Sequence, residues 1–304
     1  MGYSGLVRWT NAPTTGLELI AQNIIKNHQG VYKGRWLLHM KSFRSIMGSV
    51  PGFQVPVERS MCTLTMDDNV FCVIEDPAAP MRADYLQQAA DYARAHPGMT
   101  LAPPTHFRHT FPTLGPPAAL EQLLTQLRAR WVSVRQTGPS TVAAGPSGQK
   151  GVGMGSGPHV TVDGHVYAIG SDWLVRAGNV HLAGGAVKGM LLEVEYMPLP
   201  VMEAALDMPP VLANLLLSVL PNVPDPKLAA ITLAEWQWEE LQWDTEEELE
   251  REAERKKEQD AEEDDIYASE DDHPSSYKGD WIGMDRDRRS AYLIIQTLKQ
   301  ENLL

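Results

Sequence analysis

Only two cysteines, Cys62 and Cys72, occur in a chain of 304 residues, so no disulfide framework is expected and a reducing compartment is the simpler setting. Long apolar runs are missing too: none approaches the roughly 20 residues that span a bilayer. No basic-then-apolar leader opens the chain, because Met1 leads directly to Tyr3, Leu6 and Trp9, and the expectation is a soluble, intracellular protein. A positive surplus is also absent. The formal net charge is −13, yet residues 244–272 hold sixteen Asp and Glu against four Arg and Lys, which accounts for twelve of the thirteen excess charges. The remainder of the chain is close to neutral, without the clustered Lys and Arg that phosphate neutralisation needs, which argues against direct, sequence-specific nucleic-acid binding.

Motifs for common chemistry are missing as well. Gly151, Gly153 and Gly155 are followed by Ser156 where a dinucleotide fingerprint needs its third glycine, and they precede a strand rather than opening a helix. Lys150 and Lys188 follow no phosphate-cradling Gly-x-x-x-x-Gly run, and no serine sits in a Gly-x-Ser-x-Gly elbow. His106 and His109 lie three apart among Pro103, Pro104 and Pro112, with no Cys/His pair to complete a metal site, and read as solvated loop residues. No catalytic, cofactor-binding or metal-ligating set emerges, and the expectation is a chain that is not an enzyme.

What is present is alternation. Between residues 167 and 200 the second arm of a long hairpin carries apolar Met190, Leu192, Val194 and Tyr196 at even positions, with Glu193 and Glu195 between them. The even face goes to a core, and the glutamates read as a solvent-facing or interface side. Gly184 and Gly185 supply the reversal. A second hairpin spans residues 60–75; with a three-residue loop at 67–69, Leu64 faces Cys72 and Cys62 faces Ile74, all on one apolar side. Residues 35–44 read as a strand with Trp36, Leu38, Met40 and Ser42 inward.

Helical periodicity appears after Thr15, which forms a capping-box pattern with Glu18, and over residues 82–95, with Leu86 inward. Further helices start at Pro116-Pro117, bearing Leu120, Leu123 and Leu124, and at Pro209-Pro210, bearing Leu212, Leu215, Leu216 and Val219. A last helix, capped by Asp285 or Asp287, presents Ala291, Tyr292, Ile294, Ile295 and Leu298. Trp281, Tyr292, Ile295 and Leu298 are the candidate docking surface. Residues 137–158 are too poor in large apolar groups to pack, and the acidic run reads as a solvated spacer passing into disorder.

Hairpins with short links favour an α+β fold built on an antiparallel sheet or barrel with helices outside. The expected organisation is one barrel-plus-helices domain over residues 1–226 and 275–304. Residues 100–158 form an insertion with one helix and a Gly-rich loop, and 227–274 a Trp-rich, then acidic, partly disordered one.

The stretch Trp173-Leu174-Val175-Arg176-Ala177-Gly178-Asn179-Val180, followed through a glycine-bearing turn by Leu192-Glu193-Val194-Glu195-Tyr196, resembles the core segment of the Mediator subunit 20 family. The tail GDWIGMDRDRRSAYLIIQTLKQ resembles that family's terminal helix, especially in fungal members. The insertions at residues 100–158 and 244–272 depart from the family pattern. The resemblance implies an antiparallel β-barrel flanked by helices, without enzymatic activity, acting in the nucleus as a head-module subunit of the Mediator coactivator of RNA polymerase II. It also implies a heterodimer with Mediator subunit 18, tethered to other head subunits by the C-terminal helix of Mediator subunit 8. The competing expectation is a ligand-binding or hydrolytic β-barrel enzyme without a recognisable motif.

Overall fold

A computed structural model describes residues 3–46, 57–126, 131–133, 159–198, 210–231 and 284–304. Among them run eleven strands: β1 (Tyr3–Trp9), β2 (Val31–Ser45), β3 (Ser60–Met66), β4 (Asn69–Glu75), β5 (His109–Thr110), β6 (Thr113–Leu114), β7 (Trp131–Ser133), β8 (His159–Ile169), β9 (Trp173–His181), β10 (Val187–Tyr196) and β11 (Leu228–Ile231). Five helices accompany them: α1 (Gly16–Asn27), α2 (Arg82–Ala95), α3 (Ala118–Gln126), α4 (Pro210–Val219) and α5 (Met284–Gln300). Trp281, residues 137–158 and the acidic run lie outside the described residues.

The strands form one antiparallel sheet in the order β11-β1-β10-β9-β8-β2-β3-β4-β5, with β6 on β4 and β7 on the end of β2. The α+β class expected from the sequence is what is found. The barrel is not closed: β11 and β5 end the order without pairing each other. These outer strands are only four and two residues long, too short for a closing ladder.

Each face of the sheet has its own core. On the inner face Trp36, Leu38 and Met40 of β2 meet Ile294, Ile295 and Leu298 of α5. On the outer face Met190, Leu192 and Val194 of β10 meet Ile20 and Ile24 of α1 and Leu212, Leu216 and Val219 of α4. A smaller outer core joins Met61, Val70 and Cys72 to Leu120 of α3. Gly164 of β8 pairs with Gly178 of β9, and a Cβ on Gly164 would come within 1.9 Å of the Ala177 carbonyl oxygen. Only glycine allows the two strands to approach this closely.

Several local expectations change. The 60–75 hairpin turns on two residues, Asp67-Asp68, with Asp67 at φ +50°, so Leu64 faces Phe71 and Cys62 faces Val73. That one-residue shift sends Cys62 to the inner core and Cys72 to the outer one. Thr15 makes no side-chain cap. Helix α2 buries no residue, and Leu86 is exposed; the helix is held through Tyr85, whose hydroxyl donates to the Leu101 carbonyl at 2.9 Å. Helix α5 starts at Met284, so Asp285 and Asp287 lie in its first turn rather than at its cap.

Candidate functional site

The densest polar chemistry lies on the inner face beneath α5. Glu193 and Glu195 follow one another on the same side of β10, and Arg176 of β9 stands directly opposite Glu193 in the antiparallel register. The Arg176 guanidinium donates to Glu193 Oε2 at 3.1 Å and to Glu195 Oε2 at 2.9 Å. From above, Arg286 of α5 donates to the same Glu195 oxygen at 2.5 Å, and the Ser290 hydroxyl donates to Glu193 Oε1. Arg286 and Ser290 are four residues apart, one helical turn, so one helix face delivers both. Arg286 also pairs with its neighbour Asp287.

The glutamates are 2% and 3% exposed, which corrects the sequence expectation of a solvent-facing or interface side. Burial raises the energy of the Glu193 carboxylate, but the Arg176 and Arg286 guanidiniums and the Ser290 hydroxyl outweigh it and hold its pKa below the usual value. Asp287 goes the other way: burial dominates and lifts its pKa despite Arg286 beside it. The arrangement thus sets two carboxylates between two guanidiniums, with the helix as its lid.

Three more contacts fasten α5 along its length. Arg8 of β1 is buried and donates from Nε and Nη2 to Glu301, just beyond the end of α5, while its remaining donors reach the Lys188 and Met190 carbonyls. Lys299 reaches Glu75 of β4 at 2.6 Å. Arg288 donates to the Phe111 carbonyl and lies 5.5 Å from that ring's centroid, while Tyr292 meets the same ring edge-on. Of the sequence-selected surface residues, Tyr292, Ile295 and Leu298 come together in the inner core, 7%, 0% and 0% exposed, against β-strands of their own chain.

Sequence reasoning passed over Arg8, Arg176 and Arg286. The signal for Arg176 was its register with Glu193 across the turn. For Arg286 there was none, because 91 positions separate it from its partner.

A second polar group lies at the β4 corner. Asp76, 4% exposed, accepts from Arg59 at 2.7 Å and pairs through Oδ2 with His106 Nε2 at 2.8 Å. His106 is therefore not a free loop residue. Asp76 also accepts from the Ala78 amide, and its pKa is pulled below the ordinary carboxylate value against the opposing effect of burial. Among the described residues no group of three or more His, Cys, Asp or Glu could hold a metal ion, and no helix is long and apolar enough to cross a membrane.

No protein-family profile matches the chain, and no curated protein matches it significantly. Solved structures do. The PH1819 protein of Pyrococcus horikoshii OT3 aligns over 72% of this chain and 88% of its own, with 10% identity and a TM-score of 0.30. The hypothetical protein NE1496 aligns over 77% and 92%, with 8% identity and a TM-score of 0.24. HpAC1 from Hippeastrum, described as an adenylyl cyclase candidate with a dominant triphosphatase activity, aligns over 71% and 84%, with 9% identity and a TM-score of 0.29. The expectation that this chain is not an enzyme is not upheld: among the similar structures is one of a protein described by a triphosphatase activity, which is said of that protein alone. At these TM-scores the likeness assigns neither substrate nor reaction to this chain.

Proposed function

We propose that the chain is a protein-interaction scaffold of the kind that the Mediator subunit 20 resemblance implies, a head-module subunit supporting regulated RNA polymerase II transcription in the nucleus. The observation that carries this reading is the occupied inner face. The inner face of the sheet is filled by the chain's own α5, and the carboxylates beneath it are paired internally with Arg176 and Arg286. What remains for other chains is the outer side and the sheet ends. Large apolar groups stay exposed there, including Ile25 of α1 at 52%, Tyr32 of β2 at 54% and Leu217 of α4 at 61%. Mediator subunit 18 and the C-terminal helix of subunit 8 are the partners this reading implies.

The test is purification of the tagged chain from its native cells, with identification of stoichiometric partners. Recovery of Mediator head subunits is the expected result; stoichiometric partners that include none of them overturn the reading.

A second reading has its own observation. Two carboxylates and the Arg176 guanidinium on the inner face of the sheet are groups suited to a polyphosphate and its counter-ion, if α5 were to leave and take Arg286 with it. Phosphate release from inorganic triphosphate by the full chain, abolished by Glu193→Gln in a protein that keeps its fold, supports this hydrolytic reading. No release with any divalent cation removes it.

A further inference from the structure

Between its helical covers the outer face has an open strip. Helices α1 and α4 cover β10, β1 and part of β9, while α3 covers β3 and β4. Among the described residues no helix covers the outward side of residues 35–41 of β2 or of the adjoining ends of β8 and β9. The inner-core positions Trp36, Leu38 and Met40 place Arg35, Leu37, His39 and Lys41 outward on β2. On β8 the alternation places His159, Thr161, Asp163 and His165 outward, and on β9 Asn179 and His181. The register ties these into rows: His39 pairs with Thr161, which pairs with His181; Lys41 pairs with His159; Asp163 pairs with Asn179.

Four of the chain's nine histidines therefore share one open sheet face. The permanent charges there are matched. Arg35 donates in bidentate fashion to Asp163 at 2.8 and 2.7 Å, and Lys41 lies 3.6 Å from Glu121 of α3. Tyr32 and Tyr167 flank His165 edge-on at one end. The net charge of the strip is thus set by its imidazoles, near zero when they are neutral and positive when they are protonated. Two polar atoms beneath it, His165 Nδ1 and Asn179 Oδ1, are buried and make no hydrogen bond among the described residues.

We propose that this histidine strip is a proton-linked docking surface for an acidic, extended segment of a partner protein. Charge complementarity selects the occupant: an approaching row of carboxylates favours imidazolium over imidazole and draws protons onto the strip as it binds. In the free protein His39 resists protonation, because burial and the neighbouring His159, Lys41 and Arg35 oppose its charge and outweigh Asp163, which favours it. Binding then couples affinity to pH, and the coupling is reciprocal. The inference deepens the scaffold reading by naming one surface and the chemistry of what it takes.

The probe is a fluorescein-labelled glutamate-rich dodecapeptide, titrated by anisotropy into the full chain and by calorimetry in two buffers of different ionisation enthalpy. Expected are binding about tenfold tighter at pH 5.5 than at pH 7.5, proton uptake on binding, and loss of both in His39→Gln/His181→Gln. Asp163→Asn, which frees the Arg35 cation, should raise affinity at pH 7.5. Affinity equal at the two pH values overturns the proposal. So does binding unchanged in the double variant, or a single-stranded oligonucleotide of equal charge binding more tightly. Binding seen only after removal of residues 244–272 also overturns it, since the occupant would then be the chain's own acidic run. Failure of peptide binding while head subunits still co-purify sinks this inference alone, whereas loss of those subunits sinks the scaffold reading.

Discussion

Replacing Arg176 by methionine tests the network under α5 most directly. The guanidinium side chain is 13% exposed and its partners Glu193 and Glu195 are 3% and 4% exposed, so the screening that makes surface pairs nearly worthless does not apply here. Methionine keeps much of the aliphatic volume and leaves Glu193 buried with Ser290 and the more distant charge of Arg286, while Glu195 keeps Arg286. Removing one partner of a buried pair costs about 3–5 kcal/mol. For a chain of this size that corresponds to a fall in melting temperature of roughly 10 °C.

The pH dependence carries the sharper test. In the native protein the Glu193 pKa is depressed, so its contribution is fully present above the unfolded value of about 4.3 and is lost as pH falls through the lower folded value. In the variant burial dominates and raises that pKa. The stability deficit should then be greatest at neutral pH and shrink toward pH 5, as the variant's Glu193 takes up a proton in the fold. Urea denaturation at pH 7.5 and pH 5 measures both, and Arg176→Met/Glu193→Leu closes a double-mutant cycle. A deficit below about 1 kcal/mol, or one equal at the two pH values, would refute the assignment of a buried, ionised network.

Three further outcomes follow from the same geometry. Ile295→Ala removes a fully buried side chain between α5 and the sheet and should cost about 2–5 kcal/mol by denaturation, while Ile25→Ala, on an exposed position, should change stability by under about 0.5 kcal/mol. Cys62 and Cys72 are buried on opposite faces, and burial pushes the Cys72 thiol up to about 12, so a thiol reagent at pH 8 should titrate neither in the native chain and both after unfolding; a native disulfide on oxidation would contradict the register. Gly164→Ala forces a Cβ against the Ala177 carbonyl and should destabilise by about 3 kcal/mol or more, whereas Gly34→Ala, whose Cβ meets nothing within 4 Å, should be tolerated.

The strands were legible wherever one face alternated cleanly. The inward set Trp36, Leu38, Met40 and Ser42 and the β10 residues Met190, Leu192 and Val194 are buried as their spacing implies, with Tyr196 partly buried. Turn length was less legible, because a two-residue and a three-residue loop at residues 67–69 satisfy the same composition, and one residue of register moves Cys72 to the other face. Helix α2 misled for a different reason: its alanine-rich face has the period of a buried stripe, yet among the described residues it buries none. The glutamates of β10 were read from their own strand alone, where alternation with apolar residues implies water. Water is excluded there by α5, which lies 97 positions away in the case of the Ser290 contact.

Local chemistry by itself determined the α+β class, the hairpin pairs, the apolar stripe of the last helix and the concentration of negative charge in one run, since all of these depend on near neighbours and period. Tertiary structure alone decided three things. The sheet stays open because its outer strands are too short to pair. Its inner face is filled by α5, turning Arg176, Glu193, Glu195 and Arg286 into a buried network. Among the described residues, the gap between the helices of the outer face leaves His39, His159 and His181 together on one sheet face, because β2 pairs with β8, more than a hundred residues away, and β8 with β9.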